Sequence, residues 1–261
     1  MTTPIARATG WYAHAPNALT LLRLVLAAGF FVCLALYRFP TSRPWLLILA
    51  AVLFIAAALT DALDGYLARR WNAETAFGRI MDPFADKVLV LGAFVFLAGP
   101  NFMGAPGSVP LPWTNLTRSP VSGVDPWMVV VIIARELLVT SMRGVLESHG
   151  VRFGADWAGK AKMVLQSVCV PFVIVTLWLG TAQRSWAEFG DGSLPLPQWC
   201  RWSIDVVVRV TVFVTVLSAV PYIVRGWKEA RRLVIREEGI EATRHRGIDD
   251  AAGRSEGEGR A

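Results

Sequence analysis

The chain has 261 residues, of which 54% are hydrophobic and 18% are charged, whereas an ordinary soluble domain is roughly 45–50% apolar and about 25% charged. This composition excludes a water-soluble globular domain, and the many apolar side chains exclude a disordered chain over most of the length. Three cysteines are too few for a disulfide scaffold, so an integral membrane protein remains.

Six apolar segments approach the length of about 20 helical residues that crosses a bilayer. They predict transmembrane helices at Ala18–Leu36, Trp45–Tyr66, Pro83–Met103, Pro126–Leu146, Met163–Gln183 and Trp202–Val224. We therefore predict an all-α integral membrane protein with six transmembrane helices. The aromatic residues at the ends of these segments are typical of interfacial anchors; they include Trp45, Trp127, Trp202 and Tyr222.

Lysine and arginine are distributed unequally between the two sides of these segments. They are frequent between the second and third segments, between the fourth and fifth, and after the sixth, and sparse in the other three connections. Because basic residues are retained on the cytoplasmic side, we expect both termini in the cytoplasm. The basic residues that give the net charge of +6 are then expected to bind anionic membrane lipids, and no nucleic-acid partner is expected.

The chain is expected to have three parts. Residues 1–16 form an N-terminal cytoplasmic or interfacial segment, residues 17–226 the six-helix membrane domain, and residues 227–261 a polar cytoplasmic tail. The first part of this tail mixes arginine, glutamate and aliphatic residues as an amphipathic helix does, and the remainder has the polar composition of a disordered segment.

Four aspartates lie where the second predicted helix ends and the third begins. Asp61 and Asp64 share one helical face, and Asp82 and Asp86 are spaced i, i+4 on another. If the two helices are antiparallel neighbours, the four carboxylates can converge, and their mutual repulsion favours a bound cation. Oxygen ligands of this kind suit Mg²⁺ or Mn²⁺.

Small residues accompany the first two aspartates. Gly65 and Ala68 leave a groove on the same helical face, and Arg69 can hold a phosphate through paired hydrogen bonds. Carboxylates, a cation, a groove and an arginine together predict a pyrophosphate site. Two alternatives stay open: Asp82 followed by Pro83 is also typical of a helix N-cap, and membrane carboxylates also occur in the cation sites of transporters.

A second charged set lies on and after the fourth predicted helix. Charged residues at that depth should face the interior of the helix bundle; the basic ones are Arg135, Arg143, Lys160 and Lys162. They predict an anion pocket beside the aspartates, suited to a second substrate that carries a phosphate. The alternative is mutual pairing, of Arg135 with Glu136 or of Arg143 with Glu147, together with lysines placed only by the preference of basic residues for the cytoplasmic side.

The aspartate motif resembles that of a known family. Asp61-x-x-Asp64-Gly65-x-x-Ala68-Arg69, then eight residues, then Gly78-x-x-x-Asp82-x-x-x-Asp86, is similar to the signature of the CDP-alcohol phosphatidyltransferases. The resemblance implies that two divalent cations are held on the CDP pyrophosphate by Asp61, Asp64, Asp82 and Asp86, and that Asp86 is also the general base. It further implies that the CDP moiety is bound by Asn17, Thr20, Gly65, Ala68, Arg69 and Gly78.

Further motifs resemble the bacterial branch of this family that makes phosphatidylglycerophosphate. They are Pro16-Asn17-x-Leu19-Thr20-x-x-Arg23, Arg135-Glu136, and Gly159-Lys160-x-Lys162 with Gln166. This resemblance implies CDP-diacylglycerol as donor, sn-glycerol 3-phosphate as acceptor in the basic pocket, a homodimer, and an active site on the cytoplasmic side of the bacterial inner membrane. Inositol phosphate or phosphatidylglycerol, which would give cardiolipin, remain alternative acceptors.

Overall fold

The computed structural model describes residues 15–39, 43–71, 76–103, 120–148, 157–182, 196–228 and 231. Within these ranges, the side chains of residues 15–17, 62, 64–71, 76–83, 146, 158 and 182 are not part of the description. The predicted terminal segments lie almost entirely outside the described residues, so the three-part division stays a prediction.

Six α-helices make up nearly all of the described chain: α1 Ala15–Leu36, α2 Trp45–Trp71, α3 Ala76–Leu97, α4 Pro126–Ser148, α5 Trp157–Ala182 and α6 Gln198–Leu217. Helical conformation resumes after α6 at residues 220–228. Across these ranges there is no β-strand, and the extended pairing they contain is one isolated bridge between Met103 and Pro120. The all-α prediction is confirmed, with one helix at each predicted segment.

The surface of the helices is apolar. Val25, Val130 and Phe213, on three different helices, are 62%, 65% and 63% exposed, which suits contact with lipid chains. Three stretches are long and apolar enough by themselves to cross a membrane: Ala18–Leu36, Gly159–Thr181 and Gln198–Lys228. The chain is therefore an all-α integral membrane protein.

Helix α3 differs most from its predicted segment. It begins at Ala76 and ends at Leu97, whereas the apolar pattern placed the segment at Pro83–Met103. Asp82 consequently lies inside the helix, and its interpretation as an N-cap is wrong. The apolar criterion stops at charged residues, but a helix that leaves the lipid continues through polar sequence, since its hydrogen bonds are internal.

Neighbouring helices run in alternating directions through the bundle. At one end, α1 is joined to α2 by an ion pair between Arg23 and Asp61, and α4 is joined to α5 through Glu136 and Lys162. We call this the motif end, because the aspartate motif lies there. Between the ends, the core is filled by buried aromatic and aliphatic side chains, such as Phe30 against Phe54, whose ring centroids lie 5.3 Å apart.

The opposite end is closed by the residues that flank the long third connection. The Val121 amide donates to the Phe102 carbonyl at 2.8 Å, next to the Met103–Pro120 bridge, so this connection leaves and returns at one place. The Asn101 side chain donates to the carbonyls of Leu34 and Ala35, each at 3.1 Å. It thereby satisfies carbonyls that the last turn of α1 would leave unpaired.

Gly92 tests the packing of α1 against α3. A Cβ at Gly92 would lie 2.6 and 2.8 Å from atoms of the Phe31 ring, and that ring is stacked on Phe96 at 5.4 Å. We expect Gly92→Ala to destabilise the protein by about 1–3 kcal/mol through overpacking, measured by thermal unfolding in detergent. Gly144→Ala is the matched control, because a Cβ there meets nothing within 4 Å and alanine favours a helix. Equal stability of the two variants would contradict this packing.

Candidate active site

The structure describes about half of the predicted site side chains. Those described are Thr20, Asp61, Asp86, Arg135, Arg143, Lys160 and Lys162. The side chains of Asn17, Asp64, Gly65, Ala68, Arg69, Gly78 and Asp82 lie outside the description, although these positions fall within α1, α2 and α3. Their roles, and the convergence of all four aspartates, therefore stay predictions.

Asp61 is held by a buried arginine of α1. Arg23 Nη1 lies 2.8 Å from Asp61 Oδ1, with the Arg23 side chain 1% exposed and that of Asp61 46% exposed. A desolvated guanidinium needs a counter-charge, and Asp61 supplies it while keeping about half of its own surface open at the motif end. Thr20, one turn before Arg23, is fully buried.

Asp86 lies between the two predicted halves of the site. Its carboxylate interacts electrostatically with Arg23 and Asp61 and also with Glu136 and Lys162. It also lines a cavity of about 450 Å³ between α3, α4, α5 and the residues that follow α6. Asp61 and Asp86, the aspartates of the motif with described side chains, therefore lie near the basic set.

This cavity is strongly basic. Its lining has two carboxylates, Asp86 and Glu136, against five basic side chains: Lys87, Arg135, Arg143, Lys160 and Lys162. The structure thus brings together all four basic residues that were predicted to form an anion pocket. Lys87 was missed, because it reads as an ordinary basic residue near a span end; its Nζ donates to Thr140 Oγ1 at 2.8 Å, which fixes it to α4.

Glu136 is the counter-charge at the centre of the basic set. Its Oε1 accepts from Arg135 Nη1 at 3.1 Å and also from Lys162 Nζ, and all three side chains are at most 10% exposed. The pairing of Arg135 with Glu136 is therefore present. Among the described residues Arg143 forms no ion pair with Glu147, which is exposed, so of the two predicted pairings the structure shows that of Arg135 with Glu136.

The residues after α6 complete the cavity wall. Arg135 Nη2 donates to Ser218 Oγ at 2.9 Å, and the guanidinium carbons of Arg135 and Arg143 lie 5.9 and 5.7 Å from the centroid of the Tyr222 ring. Tyr222 is 7% exposed, whereas Trp45, Trp127 and Trp202 are 53–67% exposed.

The prediction of an interfacial anchor is therefore wrong for Tyr222. Its ring packs on α4, about eighty residues earlier in the chain, and no local pattern signals such a contact. The nearest signal is Pro221, because a proline restricts the residue before it and interrupts a helix. The α-helix indeed ends at Leu217, and this break lets the last helical residues turn toward α4.

The sequence matches the family model of the CDP-alcohol phosphatidyltransferases over residues 13–216. It is 35% identical over 71% of its length to a CDP-diacylglycerol–glycerol-3-phosphate 3-phosphatidyltransferase of Cereibacter sphaeroides, covering 72% of that protein. A Bacillus subtilis protein with the same name is 32% identical, with 82% and 95% of the two chains covered. A probable phosphatidylglycerophosphate synthase of Mycobacterium tuberculosis is 30% identical, with 83% of each chain covered.

Glu136→Gln tests the buried charge cluster. The substitution keeps the size of the side chain but leaves Arg135 and Lys162 without their shared counter-charge, and breaking a buried pair costs on the order of 3–5 kcal/mol. We expect a large fall in thermal stability in detergent. Glu147→Gln, on the exposed surface of the same helix, should leave stability unchanged. Similar melting temperatures for the two variants would show that the cluster is not what holds α4 to α5.

Proposed function

The chain belongs to the CDP-alcohol phosphatidyltransferase family, and on that premise we propose that it transfers the phosphatidyl group of CDP-diacylglycerol to sn-glycerol 3-phosphate, giving phosphatidylglycerophosphate and CMP. The chain is thus an enzyme of this class, and the transporter interpretation is set aside. One observation favours an acceptor that carries a phosphate: five basic side chains line the cavity beside Asp86. A phosphate on the acceptor balances that charge, and an uncharged alcohol does not. The names of the relatives favour sn-glycerol 3-phosphate among such acceptors.

The family is in general dependent on a divalent metal. We propose that Asp61, Asp64, Asp82 and Asp86 hold two divalent cations, Mg²⁺ or Mn²⁺, on the CDP pyrophosphate. The described members fit this role, since Asp61 and Asp86 are hard oxygen donors that interact electrostatically at the motif end. When bound, the cations polarise the phosphate under attack and stabilise the leaving CMP.

The CDP moiety of the donor is assigned to the residues that the family signature places around it. These are Asn17, Thr20, Gly65, Ala68, Arg69 and Gly78. Of these, Thr20 has a described side chain, and its burial on α1 one turn from Arg23 supports a place beside Asp61. Small residues at the other positions suit the close approach of a nucleotide, and Arg69 suits a phosphate.

The acceptor is held in the basic cavity by Arg135, Arg143, Lys160 and Lys162. Guanidinium and ammonium groups give charge-assisted hydrogen bonds to phosphate oxygens, and an acceptor anchored there has its hydroxyl beside Asp86 on the cavity wall. Asp86 takes the proton of that hydroxyl while the hydroxyl oxygen bonds to the phosphorus of the phosphatidyl group. The bond between that phosphorus and CMP breaks in the same step. Glu136 keeps Arg135 and Lys162 in position and does not touch the reacting atoms.

The membrane placement follows from the distribution of basic residues. We propose that the motif end faces the cytoplasm at the bacterial inner membrane, with both termini on that side, because the connections richest in lysine and arginine join helices at this end. The family resemblance further supports residues 17–226 as the catalytic domain and a homodimer as the working state.

The proposal is tested by CMP release from the purified protein in detergent. Release should require CDP-diacylglycerol, a divalent cation and sn-glycerol 3-phosphate together, and a chelator should abolish it. Inositol phosphate and phosphatidylglycerol, offered in place of sn-glycerol 3-phosphate, test the alternative acceptors. Release with one of those alone would keep the family assignment and change the assigned acceptor. Cation flux in liposomes without CMP release would instead support the transporter interpretation.

Asp86→Asn tests the proposed general base. Loss of a positioned base lowers the rate by roughly 10²–10⁴-fold, so we expect kcat to fall by that factor while CDP-diacylglycerol still binds. Asp205→Asn is the matched control: Asp205 lies near the opposite end of the bundle, in an exposed pair with Arg209 at 3.4 Å, and its loss should leave kcat unchanged. Normal turnover by Asp86→Asn would remove Asp86 as the base.

A further inference from the structure

Two arginines of the basic cavity share one aromatic ring. The guanidinium carbons of Arg135 and Arg143 lie 5.9 and 5.7 Å from the Tyr222 centroid, within the range of cation–π attraction. Arg135 has Glu136 as its counter-charge. Arg143 has no ion pair among the described residues, and its buried Nε has no hydrogen-bond partner there. For Arg143, the ring is the contact that the described structure provides.

An aromatic ring holds a cation differently from a carboxylate. The π face attracts a guanidinium without cancelling its charge. The N–H groups point outward in the guanidinium plane, so the ring does not accept hydrogen bonds from them. A carboxylate in the same place would neutralise the cation and compete with an incoming phosphate. Two like charges can therefore be kept near each other on one ring, and the buried Nε of each arginine has no hydrogen-bond partner among the described residues.

We propose that Tyr222 is a positioning residue that sets the affinity for the acceptor, because its ring holds Arg135 and Arg143 so that both direct N–H donors at the acceptor phosphate. This inference rests on the proposed function, in which that phosphate occupies the cavity. Tyr222 itself lies on the cavity wall and acts through the two arginines.

The surroundings of Tyr222 fix the position of its ring. It is packed against Val139 and Ala219, and a Cβ at Gly159 would lie 3.1 Å from its hydroxyl oxygen, so the ring reaches the first turn of α5, next to Lys160. Nearby, Ser218 Oγ accepts from Arg135 at 2.9 Å. Ser218 and Tyr222 both follow residue 216, where the match to the family model ends.

The test is a comparison of Michaelis constants. We expect Tyr222→Leu to raise KM for sn-glycerol 3-phosphate by at least tenfold, while kcat and KM for CDP-diacylglycerol stay within about twofold of wild type. Tyr222→Phe keeps the π face and should restore KM to within about threefold. Trp227→Leu is the matched control, because Trp227 is an exposed aromatic residue of the same final helical stretch; its KM should not change.

A second series measures the ring itself and does not depend on the leucine variant folding. Phenylalanine analogues with one, two and three ring fluorines at position 222 weaken the π face at nearly constant size, so KM for sn-glycerol 3-phosphate should rise stepwise. The inference would be overturned if KM for sn-glycerol 3-phosphate did not change along the fluorine series, or if Tyr222→Phe raised this KM as much as Tyr222→Leu does. A parallel change of kcat and of the Michaelis constants for both substrates would also overturn it.

Failure of the proposed function would be seen separately, in the wild-type protein. If wild type releases no CMP with sn-glycerol 3-phosphate, the acceptor assignment is wrong whatever position 222 does. The inference about Tyr222 is then tested by titrating inorganic phosphate into wild type and Tyr222→Leu in a calorimeter. Weaker phosphate binding by the variant would support it, and equal affinity would overturn it.

Discussion

The motif end of this protein depends on one buried carboxylate. Glu136 accepts from Arg135 on its own helix and from Lys162 on α5, and Arg135 extends the same network to Ser218 beyond α6. In a bundle surrounded by lipid, each of these cations would be costly alone. The network therefore ties three helices together at the place where the basic cavity opens, and the cavity can be positive without the helices separating.

The cations near the site fall into two groups. Arg23, Arg135 and Lys162 are buried and face Asp61 or Glu136, so part of their charge is used within the fold. Lys87, Arg143 and Lys160 also line the cavity, and the described structure gives none of them a carboxylate partner. The charge of the second group is thus not compensated among the described residues and adds most to the attraction for an anionic ligand. Within this group, Arg143 packs on the Tyr222 ring and Lys87 donates to Thr140.

Much of this architecture follows from local sequence. Apolar runs locate all six helices, and charged residues at membrane depth locate the cavity, because a charge on the lipid face is too costly to keep. The start of α3 was misplaced because polar turns can be helical outside the lipid. Ser218, Tyr222 and Lys87 were missed as parts of the site, since their contacts join residues far apart in the chain. For Asp64 and Asp82, the sequence motif remains the argument.

The ion pair between Arg23 and Asp61 also bears on how the protein enters the membrane. Arg23 lies eight residues into α1 and is buried, and its counter-charge comes from the second half of the next helix. During synthesis, α1 emerges well before Asp61 does, and a lone arginine within a helix resists partition into lipid by about 2.5–3.5 kcal/mol on insertion scales. Pairing with Asp61 offsets this cost once α2 has followed, so the ion pair favours the helical hairpin α1–α2 in the bilayer over α1 alone.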